Sequence, residues 1–237
     1  MGSDDGTIGR VLTRREALAL LGAGGLAALG TGHPALAAAP GACVVRPALT
    51  EGPYFVDVKL DRSDIRSDPT DGTLRPGVPL RLTLRISRLS AGVCAPLPGA
   101  VVDVWHCDAA GAYSDVRDSG GSTLGRKFLR GYQTSGADGL VAFTTIYPGA
   151  YPGRAVHVHF KVRSDAGRGR AHEFTSQLFF DDALTDQVHA RPPYSGARRM
   201  RNERDGIYRG TGGQLTLAAA PSGGGYAATL DLALEVG

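Results

Sequence analysis

The stretch Tyr147-Pro-Gly-Ala-Tyr151-Pro-Gly-Arg154-Ala-Val-His157-Val-His159-Phe160-Lys161-Val162 decides the fold of this chain. From Val156 onward it alternates. Val156, Val158, Phe160 and Val162 fall on one side, and His157, His159 and Lys161 on the other. A period of two marks a β-strand with one face on an apolar core. The two imidazoles then project together from the opposite face. Tyr151 lies just upstream of the first histidine and Arg154 closer still, a set that suits a metal site.

The same period recurs on either side of this strand. Leu80, Leu82, Leu84 and Ile86 alternate with Arg81, Thr83 and Arg85, and Val102 and Val104 with Asp103 and Trp105. Residues 140–146 and 174–180 are β-rich runs, Leu215 and Leu217 alternate with polar neighbours, and so do Leu230, Leu232, Leu234 and Val236. Asp71-Gly72, Gly120-Gly121, residues 135–139 and residues 222–225 punctuate these runs with turn chemistry. The expectation is an all-β chain: a β-sandwich of mostly antiparallel strands, with long loops around a metal site. No helical period stands out beyond the N-terminal segment. Residues 57–77 and 181–210 are long and poorly periodic, and read as loops at the mouth of a site.

The N-terminal residues have the order of an export signal. Arg14-Arg15 is a twin arginine, residues 17–30 are apolar and Gly/Ala-rich, and Ala35-Leu36-Ala37 supplies small residues for cleavage. Residues 1–37 therefore read as a Tat-type signal peptide, residues 38–48 as a linker, and residues 49–237 as one domain. The apolar run is short and glycine-rich for a membrane span, so no membrane anchor is expected after cleavage. A formal net charge of +3 over 237 residues is too mild to argue for nucleic acid. The basic clusters at residues 163–170 and 198–204 read as solvated loops. Export makes a disulfide plausible. Of the three cysteines, Cys43 and Cys94 are expected to pair and Cys107 to stay free. Such a bridge stabilises by roughly 4 kcal/mol in the chain-entropy picture. Lipidation of Cys43 is disfavoured, because Pro40-Gly41-Ala42 lacks the aliphatic residue of a lipobox.

Two histidines on one strand face occur in many metal sites, zinc among them. No carboxylate stands at ligand spacing from His157 and His159. Two tyrosines do stand nearby, Tyr151 and Tyr113, the latter in Val104-Trp105-His106-Cys107-Asp108-Ala-Ala-Gly-Ala-Tyr113. Phenolates are hard, anionic ligands. Ionising a phenol of pKa ~10 at neutral pH costs roughly 4 kcal/mol, which a trivalent cation can supply. Two phenolates and a hydroxide neutralise Fe(III), leaving two neutral imidazoles to fill the shell.

Taken in order, several segments resemble the intradiol ring-cleavage dioxygenases, the family of catechol 1,2-dioxygenase and protocatechuate 3,4-dioxygenase. They are Thr50-Glu-Gly-Pro-Tyr54-Phe55, Pro76-Gly-Val-Pro-Leu80, Val104-Trp105-His106, Gly111-Ala-Tyr113-Ser114, Tyr147-Pro-Gly-Ala-Tyr151-Pro, Arg154-Ala-Val-His157-Val-His159 and Ser176-Gln177-Leu178-Phe179. The resemblance implies one non-haem Fe(III) per chain held by Tyr113, Tyr151, His157 and His159. Tyr151 and His159 are then axial, with Tyr113, His157 and hydroxide equatorial. It implies Arg154 and Gln177 over the substrate ring, Tyr54 lining the pocket, and a mechanistic role for Tyr151. The implied partners are a catechol-type aromatic and O2, and the implied product is a cis,cis-muconate-type diacid. His106 is expected to be structural, and His172 and His189 to lie in loops without a function.

Two departures from the family stand out. The mature chain is expected to have no helices like the N-terminal dimerisation region of the catechol-specific members, and to be a monomer or a homo-oligomer. The chain also carries an apparent leader, which points to an extracellular or periplasmic location. Two rival readings are a non-catalytic metal- or aromatic-binding β-sandwich module and a zinc hydrolase built on the histidine pair. The second lacks a recognisable general base.

Overall fold

Strand β1 (Pro79–Ser90) buries Leu80, Leu82, Leu84 and Ile86, each at most 1% exposed, while the residues between them stay wet or half-buried. The period-two pattern has become one face of a sheet. The structure is a computed structural model and describes residues 43–118, 121–165, 171–194 and 200–235. The proposed leader, residues 166–170 and 198–199 of the basic clusters, and Val236 lie outside these. The described residues belong to one unit, Pro40–Gly237.

Two five-stranded sheets make the fold. In the first, β1 runs parallel to β12 (Gly225–Glu235), which continues to β11 (Ala220–Ser222). The other edge of β1 pairs antiparallel with β7 (Leu140–Ile146) over its first half and with β2 (Val93–Pro96) at its end. The second sheet holds β10 (Thr216–Leu217), β9 (Ala171–Phe180), β8 (His157–Asp165), β3 (Val101–Trp105) and β6 (Arg130–Thr134), in that order. Strands β4 (Arg117–Asp118) and β5 (Gly121–Ser122) pair separately. The sandwich expected from the sequence is thus present, and among the described strand pairs those of β1–β12 and β9–β10 are parallel and the rest antiparallel.

The two inner faces fuse into one apolar cluster. Leu82, Leu84, Ile86 and Phe143 meet Val102, Val104, Val158, Phe160, Val162 and Leu178. Each such side chain stabilises by about 1.5–3 kcal/mol when fully buried. The register that aligns Val104 with Phe160 also aligns Trp105 with His159 and His159 with Gln177, on the other face. There a second cluster forms from Trp105, Cys107 and Tyr113, with Tyr54, Phe55, Val116 and Tyr151 against it.

A strap of residues 47–57 covers that outer face. Leu49 N–H donates to Thr175 O at 2.8 Å, and Ser176 Oγ donates to Pro47 O at 2.8 Å. Phe55 meets Trp105 edge-on at 4.9 Å, and the Lys161 ammonium sits 4.1 Å over the Phe55 ring. Lys161 also pairs with Glu51 and Glu173, which allows it to be 95% buried on this face. Upstream of the strap, Cys43 is bridged to Cys94 and Val45 pairs with Ala233 of β12. Cys107 is free and buried, as expected.

The structure corrects the loop expectations. Residues 181–210 contain helix α1 (Asp182–His189), a 3-10 turn at Asn202–Arg204 and helix α2 (Gly206–Gly210). Eight and five residues are too few for a period to emerge. The Asp181 and Asp205 carboxylates cap them, each accepting two backbone N–H groups. Residues 57–77 form no mouth. They close a side of the sandwich, pairing Asp61 with Tyr132 of one sheet and Asp64 with Thr144 of the other. Arg62 ties this segment down through the carbonyls of Ser67, Lys127 and Arg130. His172 lies in β9 rather than in a loop. His189 ends α1, where its Nε2 donates to Pro148 O at 2.9 Å and its ring stacks on Tyr194.

Candidate metal centre

The site sits where β8 begins, on the outer face of its sheet. His157 and His159 are both 3% exposed, and their Nε2 atoms lie 2.9 Å apart. Tyr113 Oη is 3.2 Å from His157 Nε2. Tyr113 arrives on the turn that follows β3. Gly111 shapes this turn at φ +88°, where an added Cβ would come within 2.4 Å of Ala150 O. Tyr151 arrives on the β7–β8 connection, its ring 5.6 Å from that of Tyr113. The fold thus brings all four expected ligands together.

Their surroundings suit a metal. His157 Nδ1–H donates to Ala155 O at 2.7 Å, which leaves Nε2 as a bare acceptor aimed into the site. The His159 ring stacks on Trp105 at 4.9 Å, 9° from parallel, which sets its plane. Its Nδ1 is buried without a hydrogen-bond partner among the described residues. Burial, with the Arg154 charge, lowers the His157 pKa to about 4 and that of His159 well below the usual imidazole value. Both rings are therefore neutral, with lone pairs available. Burial pushes the Tyr113 phenol well above its ordinary value, so ionising it takes a nearby cation. No three His, Cys, Asp or Glu side chains converge among the described residues. The donor set is complete only when the two phenols are counted. Two neutral imidazoles, one buried phenol and one partly exposed phenol fit a hard trivalent ion.

Tyr54 stacks on Tyr113 at 4.7 Å, and its Oη lies 2.5 Å from Tyr151 Oη and 3.1 Å from Asp118 Oδ2, to which it donates. Burial, Tyr151 and Asp118 all raise the Tyr54 pKa, so it stays protonated. Arg154 Nε donates to Asp205 Oδ2 at 2.9 Å, and its Nη2 donates to Gln177 Oε1 at 2.7 Å. Gln177 Nε2 in turn donates to Thr50 O of the strap at 2.8 Å. Gln177 therefore couples Arg154 to the strap, and every expected site residue belongs to one connected cluster.

Three participants escape a reading of the sequence. Arg130 is 1% exposed, and its guanidinium donates to the carbonyls of Ser114 at 2.6 Å and Tyr54 at 2.6 Å, joining the segments that carry Tyr113 and Tyr54. Burial lowers its pKa to about 10. Asp205 also accepts the Ala155 N–H at 2.9 Å, holding the approach to β8. Trp105 sets the His159 plane. The one available signal was Arg130 itself, a cation directly after Phe128-Leu129. His106 is structural, its Nε2 against Thr145 Oγ1 at 2.7 Å and its Nδ1 against Cys107 O at 2.8 Å. Burial pushes the neighbouring Cys107 thiol up to about 12, which leaves it inert.

A sandwich with an imidazole–phenol centre on the outer face of one sheet defines a class of metal-dependent oxygenase scaffold. A family profile described as "Dioxygenase" matches residues 50–198, and the chain belongs to the intradiol ring-cleavage dioxygenases. That family uses non-haem iron and acts on catechol-type substrates with O2. An intradiol ring-cleavage dioxygenase from Tetranychus urticae is 32% identical with a TM-score of 0.69, over 81% of this chain and 95% of that one. The dioxygenase domain of a carbohydrate-binding fusion from Streptomyces sp. SirexAA-E is 30% identical with a TM-score of 0.59, over 82% of this chain and all of that domain. The chlorocatechol 1,2-dioxygenase of Pseudomonas sp. (strain P51) is 31% identical over 57% of this chain and 55% of its own length. The matches span from about two fifths to just over half of the curated relatives' lengths.

Proposed function

We propose that this protein is an Fe(III)-dependent intradiol dioxygenase. It cleaves the bond between the two hydroxylated carbons of a catechol-type aromatic with O2, giving a cis,cis-muconate-type diacid that holds both oxygen atoms. The observation that carries this reading is the convergence of Tyr113, His157 and His159, with Tyr151 beside them and His157 Nδ1 committed to Ala155 O. Tyr113, Tyr151, His157 and His159 are the ligands. These four residues would hold ferric iron, which would supply a Lewis acid that makes the catechol hydroxyls acidic.

The chain's own residues do the rest. Tyr151 is the one partly exposed ligand, so substrate enters past it. Its Oη takes a catechol proton, and Tyr54 Oη, 2.5 Å away, steadies the resulting phenol. Arg154 is held at two edges by Asp205 and Gln177, so its charge stands fixed beside the histidines where ring carbanion character develops. The strap and the Trp105 ring exclude water from the histidine face. We further propose that residues 1–37 are a Tat-type export signal. Such a route lets the protein fold and load its metal before it crosses the membrane.

Purified holoprotein is expected to be red to burgundy from phenolate-to-iron charge transfer and to consume one O2 per catechol. Colourless protein with stoichiometric zinc defeats the assignment. Tyr151→Phe is expected to shift the visible band and slow catechol binding, and an unchanged spectrum with iron bound removes Tyr151 from the ligand set.

A further inference from the structure

The mechanism uses two of the three polar side chains on the outer face of β8 and leaves Lys161 over. Lys161 is 5% exposed, a position that costs an ammonium most of its water. Its Nζ pairs with Glu51 and, at 2.9 Å, with Glu173 Oε1, and it sits 4.1 Å over the Phe55 ring. Glu173 belongs to β9, the neighbouring strand of the sheet. Glu51 and Phe55 both belong to the strap. One side chain rooted in the ligand strand therefore grips the strap at two points, four residues apart.

What lies between the grips belongs to the site. Gly52 turns at φ +73°, and a Cβ there would stand 3.5 Å from His159 Cε1, so this backbone lies against the imidazole edge. Tyr54 stacks on Tyr113 at 4.7 Å, with its Oη 2.5 Å from Tyr151 Oη. Phe55 meets Trp105, whose other contact is the stacked His159 ring. Further ties reach the strap at Pro47, Leu49 and Thr50, ahead of this stretch, and at the Tyr54 carbonyl within it.

We infer that Lys161 is a positioning residue of the metal centre. It clasps residues 51–55 over the outer face of β8, and so sets Gly52 against His159 and Tyr54 against Tyr151. It acts through the strap rather than on substrate. The rival is a buried charge that the two glutamates merely satisfy. A methionine of similar length would then replace it without consequence for the strap. The effect on iron rests on the dioxygenase reading above, whereas the clasp stands on the chain's own contacts.

The chain's one tryptophan reports on the clasp, because Trp105 is 1% exposed and packs against Phe55 of the strap. Acrylamide quenching of its fluorescence is measured on the metal-free protein, well below each variant's unfolding midpoint. The rate of iron loss to a ferric chelator is measured on the loaded protein. Lys161→Met removes the charged ties, and should raise quenching about three-fold and speed iron loss about ten-fold. Glu51→Gln should raise quenching about two-fold, while Glu173→Gln, on the sheet rather than the strap, should stay close to wild type. Both glutamates are partly open to water, at 38% and 57%, so this pair decides the matter even where Lys161→Met does not fold. Unchanged quenching in Lys161→Met overturns the inference, as does an equal response of Glu51→Gln and Glu173→Gln. Raised quenching with unchanged iron loss removes the positioning role. Wild type that binds no iron defeats the dioxygenase reading, and the quenching comparison still decides the clasp.

Discussion

Strand β8 presents two faces that are buried to the same degree by different physics. On the inner face, Val158, Phe160 and Val162 are all 0% exposed and need only shape and volume from their neighbours. On the outer face, His157, His159 and Lys161 are 3–5% exposed, and each polar atom needs a chemical partner. Lys161 finds two glutamates and an aromatic ring, and His157 Nδ1 finds a carbonyl. His159 Nδ1 finds none among the described residues, and the Nε2 atoms of the two histidines find only each other and the Tyr113 hydroxyl. The lesson is that deficit in partners, rather than depth, marks the functional face.

The largest effect is expected from breaking each face in turn. Phe160→Ala should cost about 3–5 kcal/mol of stability in urea unfolding through the cavity it leaves. His159→Ala should leave the apo protein far closer to wild type in the same measurement while abolishing iron uptake. Equal stability losses in the apo forms would erase the distinction between the faces.

Arg130 sharpens the comparison, because it is a buried charge that serves packing. Arg130→Met strands the carbonyls of Ser114 and Tyr54 and should cost about 1–3 kcal/mol, read by thermal unfolding. It should also blur the visible band of the iron form, since Tyr113 and Tyr54 lose their common anchor.

A smaller effect is set by pH. Burial alone would raise the Asp205 pKa, but the Ala155 N–H and the Arg154 charge outweigh it, and the carboxyl lies below its ordinary 3.8. A carboxylate lowered on folding contributes stability above its unfolded pKa and loses it as pH falls through the folded value. Wild type should therefore lose stability below about pH 4 more steeply than Asp205→Asn, in denaturant titrations at stepped pH. Identical slopes would remove Asp205 from the support of β8. The smallest change is expected at the Arg66–Asp64 ion pair, 2.6 Å long and exposed. There Arg66→Ala should stay within about 0.5 kcal/mol.

Much of this was legible along the chain, because side chains of one strand sort by parity. The alternation of residues 156–162 and 80–86 foretold the sandwich, and the order of Tyr113, Tyr151, His157 and His159 foretold that these four side chains meet at one site. The pairing of Cys43 with Cys94 was readable from the positions of the three cysteines and the expectation of export. The short helices were not, since eight and five residues held by aspartate caps carry too little period. Neither was the course of residues 57–77, which Arg62 ties to backbone carbonyls that look alike in every sequence.

The sequence by itself determined which residues share a face and which side chains could bind a metal, because both are properties of residue type and spacing. Only the tertiary structure decided that the histidine face lies under a strap instead of in water, and that Arg130 and Asp205 support it. It alone brought the Tyr54 hydroxyl to within 2.5 Å of Tyr151 Oη. These depend on contacts between segments 50 to 130 residues apart, such as Gln177 with Thr50 and Arg154 with Asp205. Such contacts exist only once the hydrophobic inner face has brought the two sheets together.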